Sequence, residues 1–365
     1  MFDHKHYVPI LRWKAAERDA LLKLKPSEKE MITPVFEFIM PQPKAPKQDE
    51  KAKTPEEQRE ESINKFQLSI LEMPEQISKY WGRTPVFIDM RLIDGSIRAE
   101  ALERLLALGT NLDLFMIPVV NIIPVIDFES DIKTRAVAIK FAKQGKHGLC
   151  LRLSPLELNS PSFADDIDKF VAKSGLLKKD IDLLVDQGLI GEGDSTEIGL
   201  ANIPDLKEWR TLTLIGGSFP PDLSKFLIGA DTIERYEWSG WLKEINKNLK
   251  RKPSFGDYTI LHPIYREPVR GAIPSASIRY TLKDRWLIMR GQGGAKKNHS
   301  QYLANARLLK EHADFFGENF SYGDGYIAEK SKDLNSKETG SARTWLTAGI
   351  NHHLVCAISQ LSSVS

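Results

Sequence analysis

The chain has 365 residues, which is more than a common single domain and leaves room for additions to one large domain. Its 51 basic and 49 acidic residues give a formal net charge of +2, so the chain as a whole has no strong attraction for nucleic acid or for an anionic membrane. Two cysteines exclude a disulfide framework. No apolar run approaches the roughly 18 residues of a membrane span, and the amino terminus lacks a secretory signal. These features predict a cytoplasmic protein without membrane association.

Short apolar segments followed by more polar ones recur along the chain and predict strands that alternate with helices. A lead-in at residues 7–13 and a helix at residues 15–24 precede the first of them. The eight predicted barrel strands are residues 33–38, 85–90, 115–121, 148–153, 181–186, 211–217, 232–238 and 258–263. Residues 122–131 fit either an extension of the third strand or a loop.

Eight buried strands in regular alternation with helices predict a closed (β/α)8, TIM-like barrel, because parallel strands need crossover connections. We expect this α/β barrel to occupy residues 1–265. Within it, residues 40–62 are rich in Pro, Lys, Glu and Gln, and they predict a mobile insert that precedes a helix starting near residue 62.

The alternation ends after His262, and a different pattern follows. Residues 276–282 and 286–291 flank three polar residues, which predicts an antiparallel hairpin. Helices are predicted at residues 300–312 and 342–361. We therefore expect residues 266–365 to form a β-hairpin and a C-terminal helical extension that pack on the barrel.

Charged side chains of one parity fall at the carboxyl ends of the predicted strands, which meet at one mouth of a barrel. These residues are Glu37, Asp89, Arg152, Asp186, Arg235 and Glu237. Such a group could bind a divalent cation, hold an anionic ligand, or divide acid and base roles. The alternative is a buried layer of ion pairs that closes the barrel without a ligand. His262, at the end of the eighth predicted strand, fits either a general acid or base or a loop residue.

The hairpin adds Arg279, Tyr280 and Arg290 as candidate ligand-binding residues. Arg290 precedes the segment GQGGAKK and a helix, so that glycine amides and lysines could hold a phosphate there. The alternative is a solvated turn, since the spacing is not that of a known phosphate-binding loop. His352 and His353 point about 100° apart on a helix, which excludes a zinc pair and favours packing roles. The basic run KNLKRK at residues 247–252 is interpreted as a helix end that favours cations.

Five sequence motifs together resemble the beta protein family of phages and bacteria over nearly the whole chain. They are YVPILRWKAAERDAL and ITPVFEF near the start, and FGDYTILHP, ASIRYTLKDRWLIMRG and W(x)5NHHL near the end. Members of that family look like neighbours of genes for phage defence and nucleases. The resemblance therefore implies a role in phage–host conflict.

Our first functional hypothesis is a barrel that binds an anionic, phosphate-containing ligand such as a nucleotide or a nucleic-acid end. Arg152, Arg235 and Arg290 would grip the phosphate, and the carboxylates would hold a divalent metal or act on water in a phosphodiesterase-like hydrolysis. The second hypothesis is a non-catalytic module in an anti-phage defence or counter-defence complex, whose hairpin and C-terminal helix contact a protein partner.

Overall fold

Eight parallel strands form a closed barrel in the computed structural model, which describes residues 2–43, 53–111, 119–145, 147–194, 197–267, 275–292 and 299–364. The strands in chain order are β1 Tyr7–Arg12, β2 Val35–Glu37, β3 Val86–Asp89, β4 Ile122–Ile126, β5 Leu149–Leu153, β6 Ile181–Leu189, β7 Thr211–Gly217, β8 Gly229–Glu234, β9 Ser254–Asp257, β10 Ser277–Thr281 and β11 Arg285–Arg290. The barrel order is β1-β2-β3-β4-β5-β6-β7-β9, and β9 pairs with β1 to close it. The predicted (β/α)8 class is thus confirmed.

One barrel strand was not predicted as such, and one predicted barrel strand lies in another sheet. Residues 7–13, interpreted as a lead-in, contain the first barrel strand, because every residue of β1 is buried. Residues 232–238 do not form a barrel strand. Residues Gly229–Glu234 instead pair antiparallel with β11, and their half-exposed, alternating burial is that of a strand with one solvated face.

The other strand boundaries shift by a few residues. The last barrel strand ends at Asp257, so the predicted strand at residues 258–263 lies in the loop that follows it. The third predicted strand, at residues 115–121, falls largely on residues 112–118, which lie outside the described part of the chain. The barrel strand of this region is β4, so the ambiguous residues 122–131 contain a strand.

Helices cover the outside of the barrel and form the extension. They are α1 Ala15–Leu22, α2 Pro26–Lys29, α3 Pro55–Ser69, α4 Met73–Tyr80, α5 Arg98–Gly109, α6 Ile132–Gly145, α7 Pro155–Leu158, α8 Phe163–Ser174, α9 Tyr236–Ile245, α10 Ser300–Lys310, α11 Tyr322–Lys330 and α12 Ala342–Ser362. Helix α3 begins earlier than the predicted residue 62, because the Thr54 side chain caps it and Pro55 occupies its first turn. No helix of the described residues has the length and apolarity needed to cross a membrane.

Alternation along the strands divides the barrel residues between two cores. Side chains such as Val8, Ile10 and Phe87 fill the interior of the barrel, whereas Leu11 and Ile88 belong to the larger core between the strands and the helices. This alternation shows which side chains of each strand point into the barrel. The charged residues at the strand ends belong to the same interior-facing set and lie at the mouth.

The predicted hairpin is confirmed and is part of a three-stranded sheet, β10-β11-β8. Helix α12 packs between this sheet and α1, where the Asn351 side chain donates to the backbone oxygen of Ala20 at 3.2 Å. The Tyr280 hydroxyl donates to Asp324 at 2.7 Å, and its ring stacks on His352. A division of the chain at residue 265 stays a prediction.

His353 of α12 joins the first and last barrel strands. Its Nε2 lies 2.8 Å from Asp257 Oδ2 and 3.1 Å from the Tyr7 hydroxyl, which itself donates to Asp257 Oδ1 at 2.6 Å. Its Nδ1 lies 2.8 Å from the Thr281 hydroxyl. Burial lowers the pKa of His353. The packing role expected for the histidine pair therefore includes direct contact with the barrel.

We expect His353→Ala to lower the free energy of unfolding by about 3 kcal/mol, because it leaves Oδ2 of the buried Asp257 without its hydrogen-bond partner. Urea denaturation of the purified chain measures this change. The matched control is His299→Ala, an exposed histidine at the start of α10, for which we expect a change below about 0.5 kcal/mol. Equal effects of the two substitutions would contradict the assigned role.

Candidate functional site

The interior-facing charges at the carboxyl ends of the strands converge on one guanidinium. We call this group the ionic cluster, and it consists of Glu37, Asp89, Arg152, Asp186 and Tyr258. Arg152 Nη1 donates to Glu37 at 2.8 Å and to Asp89 at 2.7 Å. Its Nε and Nη2 donate to Asp186 Oδ2 at 3.0 and 2.6 Å, and Nη2 also donates to the Tyr258 hydroxyl at 2.7 Å.

Arg152 has all of its hydrogen-bonding capacity in use. A guanidinium has five N–H donors, and the five bonds of Arg152 match that number. The side chain is also only 3% exposed. A phosphate could bind Arg152 only by displacing a carboxylate, so the arrangement favours the buried layer of ion pairs over a direct ligand contact.

The cluster shifts the pKa values of Asp186 and Arg152 so that both side chains are charged. Burial on its own would raise the pKa of Asp186, but Arg152 and the bond donated by Tyr258 outweigh it and hold this pKa below its ordinary value. Burial likewise opposes the charged form of Arg152, yet the surrounding groups raise its pKa well above the usual range. Both groups therefore stay ionised at neutral pH.

Two further arginines extend the cluster toward the rim of the barrel. Arg12 Nε lies 3.7 Å from Glu37, and its Nη2 donates to the backbone oxygens of His262 and Pro263 at 2.8 and 2.6 Å. Arg91 bridges Asp89 and Asp127, each at 3.1 Å. A small cavity of about 280 Å³ lies beside Arg91 at the ends of β3 and β4. The rim is thus tied to the buried charges.

A larger cavity of about 530 Å³ opens where the loops after β1, β7 and β9 meet the hairpin and α12. We call it the basic cleft, and its charged or titratable lining residues are Arg12, Lys14, Glu17, His262, Arg266, Arg279 and Arg343. Five of these are Arg or Lys and one is Glu. Apolar groups such as Leu261, Ile264 and Leu346 line the remainder, together with the Tyr265 ring.

Arg279 is a partly buried cation of the basic cleft that has no carboxylate partner among the described residues. Its Nη1 donates to the backbone oxygen of Ile260 at 2.8 Å, and its guanidinium carbon lies 4.7 Å from the centre of the Phe219 ring. No carboxylate of the described residues lies within ion-pair distance of it. Burial consequently lowers the pKa of Arg279 to about 10. The guanidinium stays protonated at neutral pH and has donors available for an anion.

Glu17 lies in the wall of the cleft and is 2% exposed. Its carboxylate accepts bonds from the backbone nitrogens of Arg12 at 2.9 Å and of Lys14 at 3.3 Å. Burial raises the pKa of Glu17 to about 7, although these bonds and the nearby cations oppose the shift. The carboxyl group therefore changes its charge near neutral pH.

The structure does not bring Arg235 and Glu237 to the barrel mouth as strand residues. Both lie at the start of α9, because the chain leaves β8 at Glu234 and turns into a helix. Arg235 donates to Glu237 at 3.2 Å and to Gln360 of α12 at 2.8 Å. Glu237 accepts from the Ser218 hydroxyl at 2.5 Å, and burial raises its pKa to about 7. This pair links the barrel to the extension.

The remaining candidate residues are distributed over several places. His262 borders the basic cleft, and its Nδ1 lies 3.1 Å from the backbone nitrogen of Ile264. Tyr280 is buried against Asp324 and His352, away from both cavities. Arg290 donates to the backbone oxygen of Phe226 at 2.5 Å. The glycine and lysine segment after it falls on residues 293–298, outside the described residues.

Six residues of the ionic cluster and the basic cleft were not identified from the sequence: Arg12, Lys14, Glu17, Tyr258, Arg266 and Arg343. Arg12 was missed because its strand was taken as a lead-in, although Val8, Ile10 and Arg12 follow the same alternation that identified Asp89. In the described part of the chain, no group of three or more His, Cys, Asp or Glu residues is arranged to hold a metal ion. Arg152 occupies the centre of the three interior carboxylates.

A comparison with models of protein families identifies one that matches most of the chain. A family model described as Beta protein matches residues 7–359 of the chain. The search of curated proteins found no match.

The ionic cluster predicts that the free energy of unfolding decreases at acid pH. Asp89 and Asp186 have pKa values below their ordinary range, so the stability that they contribute is complete above about pH 4 and is lost as the pH falls through their folded pKa values. Asp186→Asn removes one of these groups, and we expect a smaller loss of unfolding free energy between pH 7 and pH 3 than in the unchanged chain. Urea denaturation at both pH values measures it.

The matched control for this experiment is Asp165→Asn, which changes an exposed carboxylate on α8. It should reproduce the acid dependence of the unchanged chain. If Asp186→Asn also reproduces it, the ionic cluster does not link folding to pH.

Proposed function

The chain belongs to the Beta protein family, and from the geometry of its barrel mouth we propose that it binds an anionic, phosphate-containing ligand in the basic cleft. The observation that supports this most directly is Arg279. It is a half-buried guanidinium that lines the cleft, bonds one backbone oxygen, and has no carboxylate among the described residues to neutralise it. Such a cation gains most from an anion that accepts its unused donors.

The other cations of the cleft are arranged so that a bound anion would meet several of them. Lys14 and Arg12 lie over the Tyr265 ring at 4.5 and 5.3 Å from its centre. Arg343 is already bonded to Asp19 at 2.6 Å and contributes charge from the far wall. Arg266 is exposed at the rim, with no hydrogen-bond acceptor in reach among the described residues. Converging guanidinium and ammonium groups are the usual means of binding phosphate.

The size and the apolar part of the cleft narrow the class of ligand. A volume of about 530 Å³ falls within the range of cavities that hold small molecules. Leu261, Ile264 and Leu346 would cover an apolar or aromatic portion, while the cations hold the charged end. This combination supports a nucleotide, or the terminal nucleotide of a nucleic acid, over inorganic phosphate alone.

In this proposal the ionic cluster supports the cleft and does not contact the ligand. Arg12 belongs to both, since it contacts Glu37 and fixes the backbone of His262 and Pro263 at the rim. Glu37, Asp89, Arg152 and Asp186 would then affect binding through the position of that loop. This differs from the direct roles expected from the sequence.

His262 and Glu17 are the titratable groups of the cleft that suit proton transfer, because Glu17 has a pKa of about 7. If hydrolysis occurs, we assign it to these two residues. Hydrolysis itself, a divalent metal, a protein partner and a role in phage–host conflict stay predictions.

We expect Arg279→Gln and Arg266→Gln each to weaken binding of a nucleoside triphosphate by about tenfold or more, because each removes a charge-assisted contact with the phosphates. Thermal shift and calorimetric titration of the purified chain measure the binding, since a ligand of the folded state raises the melting temperature. Lys207→Gln is the matched control: it removes an exposed positive charge from the other end of the barrel. A panel of nucleotides that leaves the melting temperature of the unchanged chain unaltered would rule out the proposal.

Glu17 gives the same binding a predictable pH dependence. As the pH falls through about 7, Glu17 becomes neutral and the cleft gains one unit of positive charge. We therefore expect anion affinity to rise several-fold between pH 8 and pH 6, and this rise should be lost in Glu17→Gln, which is neutral throughout. Calorimetry at three pH values tests it, and an unchanged pH profile in Glu17→Gln would contradict the assignment.

A further inference from the structure

A third cavity lies at the amino end of the barrel, opposite the mouth. It has a volume of about 590 Å³ and is bordered by Phe2, Asp3, His4, Lys5, His6, Met31, Arg251 and Lys252. All of these residues precede barrel strands: residues 2–6 lead into β1, Met31 precedes β2, and Arg251 and Lys252 precede β9. We call this cavity the amino-end hollow.

Positive charge dominates the amino-end hollow. Lys5, Arg251 and Lys252 are cationic, two histidines add nitrogen atoms, and Asp3 is the acidic residue of the lining. Asp3 is exposed and is engaged locally, because its Oδ1 accepts the backbone N–H of Lys5 at 2.9 Å. The chain as a whole has a net charge of only +2. The concentration of cations here is therefore a local feature.

Two groups of the hollow have hydrogen-bonding capacity that the described residues leave unused. His4 Nε2 is buried without a hydrogen-bond partner in the described part of the chain. Arg251 uses two of its nitrogens to bond the backbone oxygens of Trp209 and Arg210, and burial lowers its pKa. Within the described residues no carboxylate lies at ion-pair distance from Arg251. Asp182 is near enough to raise the pKa of Arg251 in part, but it is bonded to Arg210. A guanidinium that is anchored by carbonyl groups and has no carboxylate at ion-pair distance is preorganised for an anion.

The cations continue beyond the hollow along the surface. The helix α9 ends at Ile245, and of the basic run that follows it, Lys247 is paired with Glu244 at 2.5 Å. Lys250 is exposed and leads directly into Arg251 and Lys252. The run therefore extends from the hollow outward, and only its first lysine fits the interpretation of a helix end.

We propose that the amino-end hollow binds a phosphate group, with Arg251 and Lys5 as its ligands. Phosphate offers several acceptor oxygens and at least one negative charge, which matches two cationic donors. The phosphate comes either from a nucleic-acid strand, whose next phosphates would follow Lys250, or from a small molecule. This site is independent of the basic cleft, because the two lie at opposite ends of the barrel.

The test uses the full chain and two probes, a fluorescent single-stranded oligonucleotide with a 5′-phosphate and inorganic pyrophosphate. Anisotropy measures the first, and calorimetry or competition measures the second. We expect Lys5→Gln and Arg251→Gln each to weaken binding at the hollow at least fivefold. For the oligonucleotide, the slope of log affinity against log salt should fall by about 0.7 for each phosphate contact removed.

Control variants distinguish binding at the hollow from binding at the basic cleft and from an effect of net charge alone. Lys310→Gln removes an exposed lysine on α10 and should leave the affinity unchanged. Lys5→Gln is also measured in an Arg279→Gln background, in which binding of the probe at the basic cleft is weakened, so that the remaining affinity reports the hollow. Arg251→Gln removes two bonds to backbone, so Lys5→Gln, whose side chain makes no such bond, covers the case in which the first variant unfolds. Oligonucleotide binding that depends on Lys5 supports a nucleic-acid source, and pyrophosphate binding alone with that dependence supports a small phosphate. Binding of neither probe, or binding that Lys5→Gln leaves intact, overturns the proposal.

Discussion

One guanidinium determines how the charges of this barrel are arranged. Arg152 projects from β5 into the centre of the mouth and satisfies all five of its donors with acceptors from β2, β3 and β6 and from the loop after β9. Three carboxylates buried this deeply would repel each other, and removal of their common partner would leave each uncompensated. The cluster therefore fixes strand ends that are far apart in sequence, and it leaves Arg152 without an unused donor.

Site residues were predicted correctly from the sequence where a short apolar strand with alternating side chains ends on a charged residue. Glu37, Asp89, Arg152 and Asp186 could be placed on one face because each ends a short apolar strand, and the structure brings them within hydrogen-bond distance of one another through Arg152. The number of barrel strands was right, but residues 7–13 were taken as a lead-in, residues 232–238 are not in the barrel, and the last barrel strand precedes the predicted residues 258–263. Residues 232–238 contain β-forming side chains, but alternate positions of β8 are exposed, and only its pairing with β11 identifies its sheet.

The basic cleft could not be predicted in the same way, because its walls come from segments with no common pattern. Lys14 follows β1, Arg279 lies on the hairpin, and Arg343 begins α12. Lys14 and Arg343 look like ordinary surface cations in the sequence, and Arg279 was identified as a candidate only as part of the predicted hairpin. Their proximity depends on how α12 packs against α1 and β10, which is a tertiary property that local periodicity does not encode. Tyr258 was missed because the sequence analysis placed it at the start of the eighth predicted strand, whereas in the structure it follows the carboxyl end of β9.

The contact of His353 with Tyr7 and Asp257 also has a consequence for how the protein is made. The seam between β1 and β9 closes the barrel, and α12 covers it. His353 lies 346 residues after Tyr7, so a nascent polypeptide acquires this cover long after β1 has been synthesised. Before α12 is made, the face of β1 and β9 that it covers is exposed to solvent. Apolar groups on that face can then associate with other chains or with a chaperone.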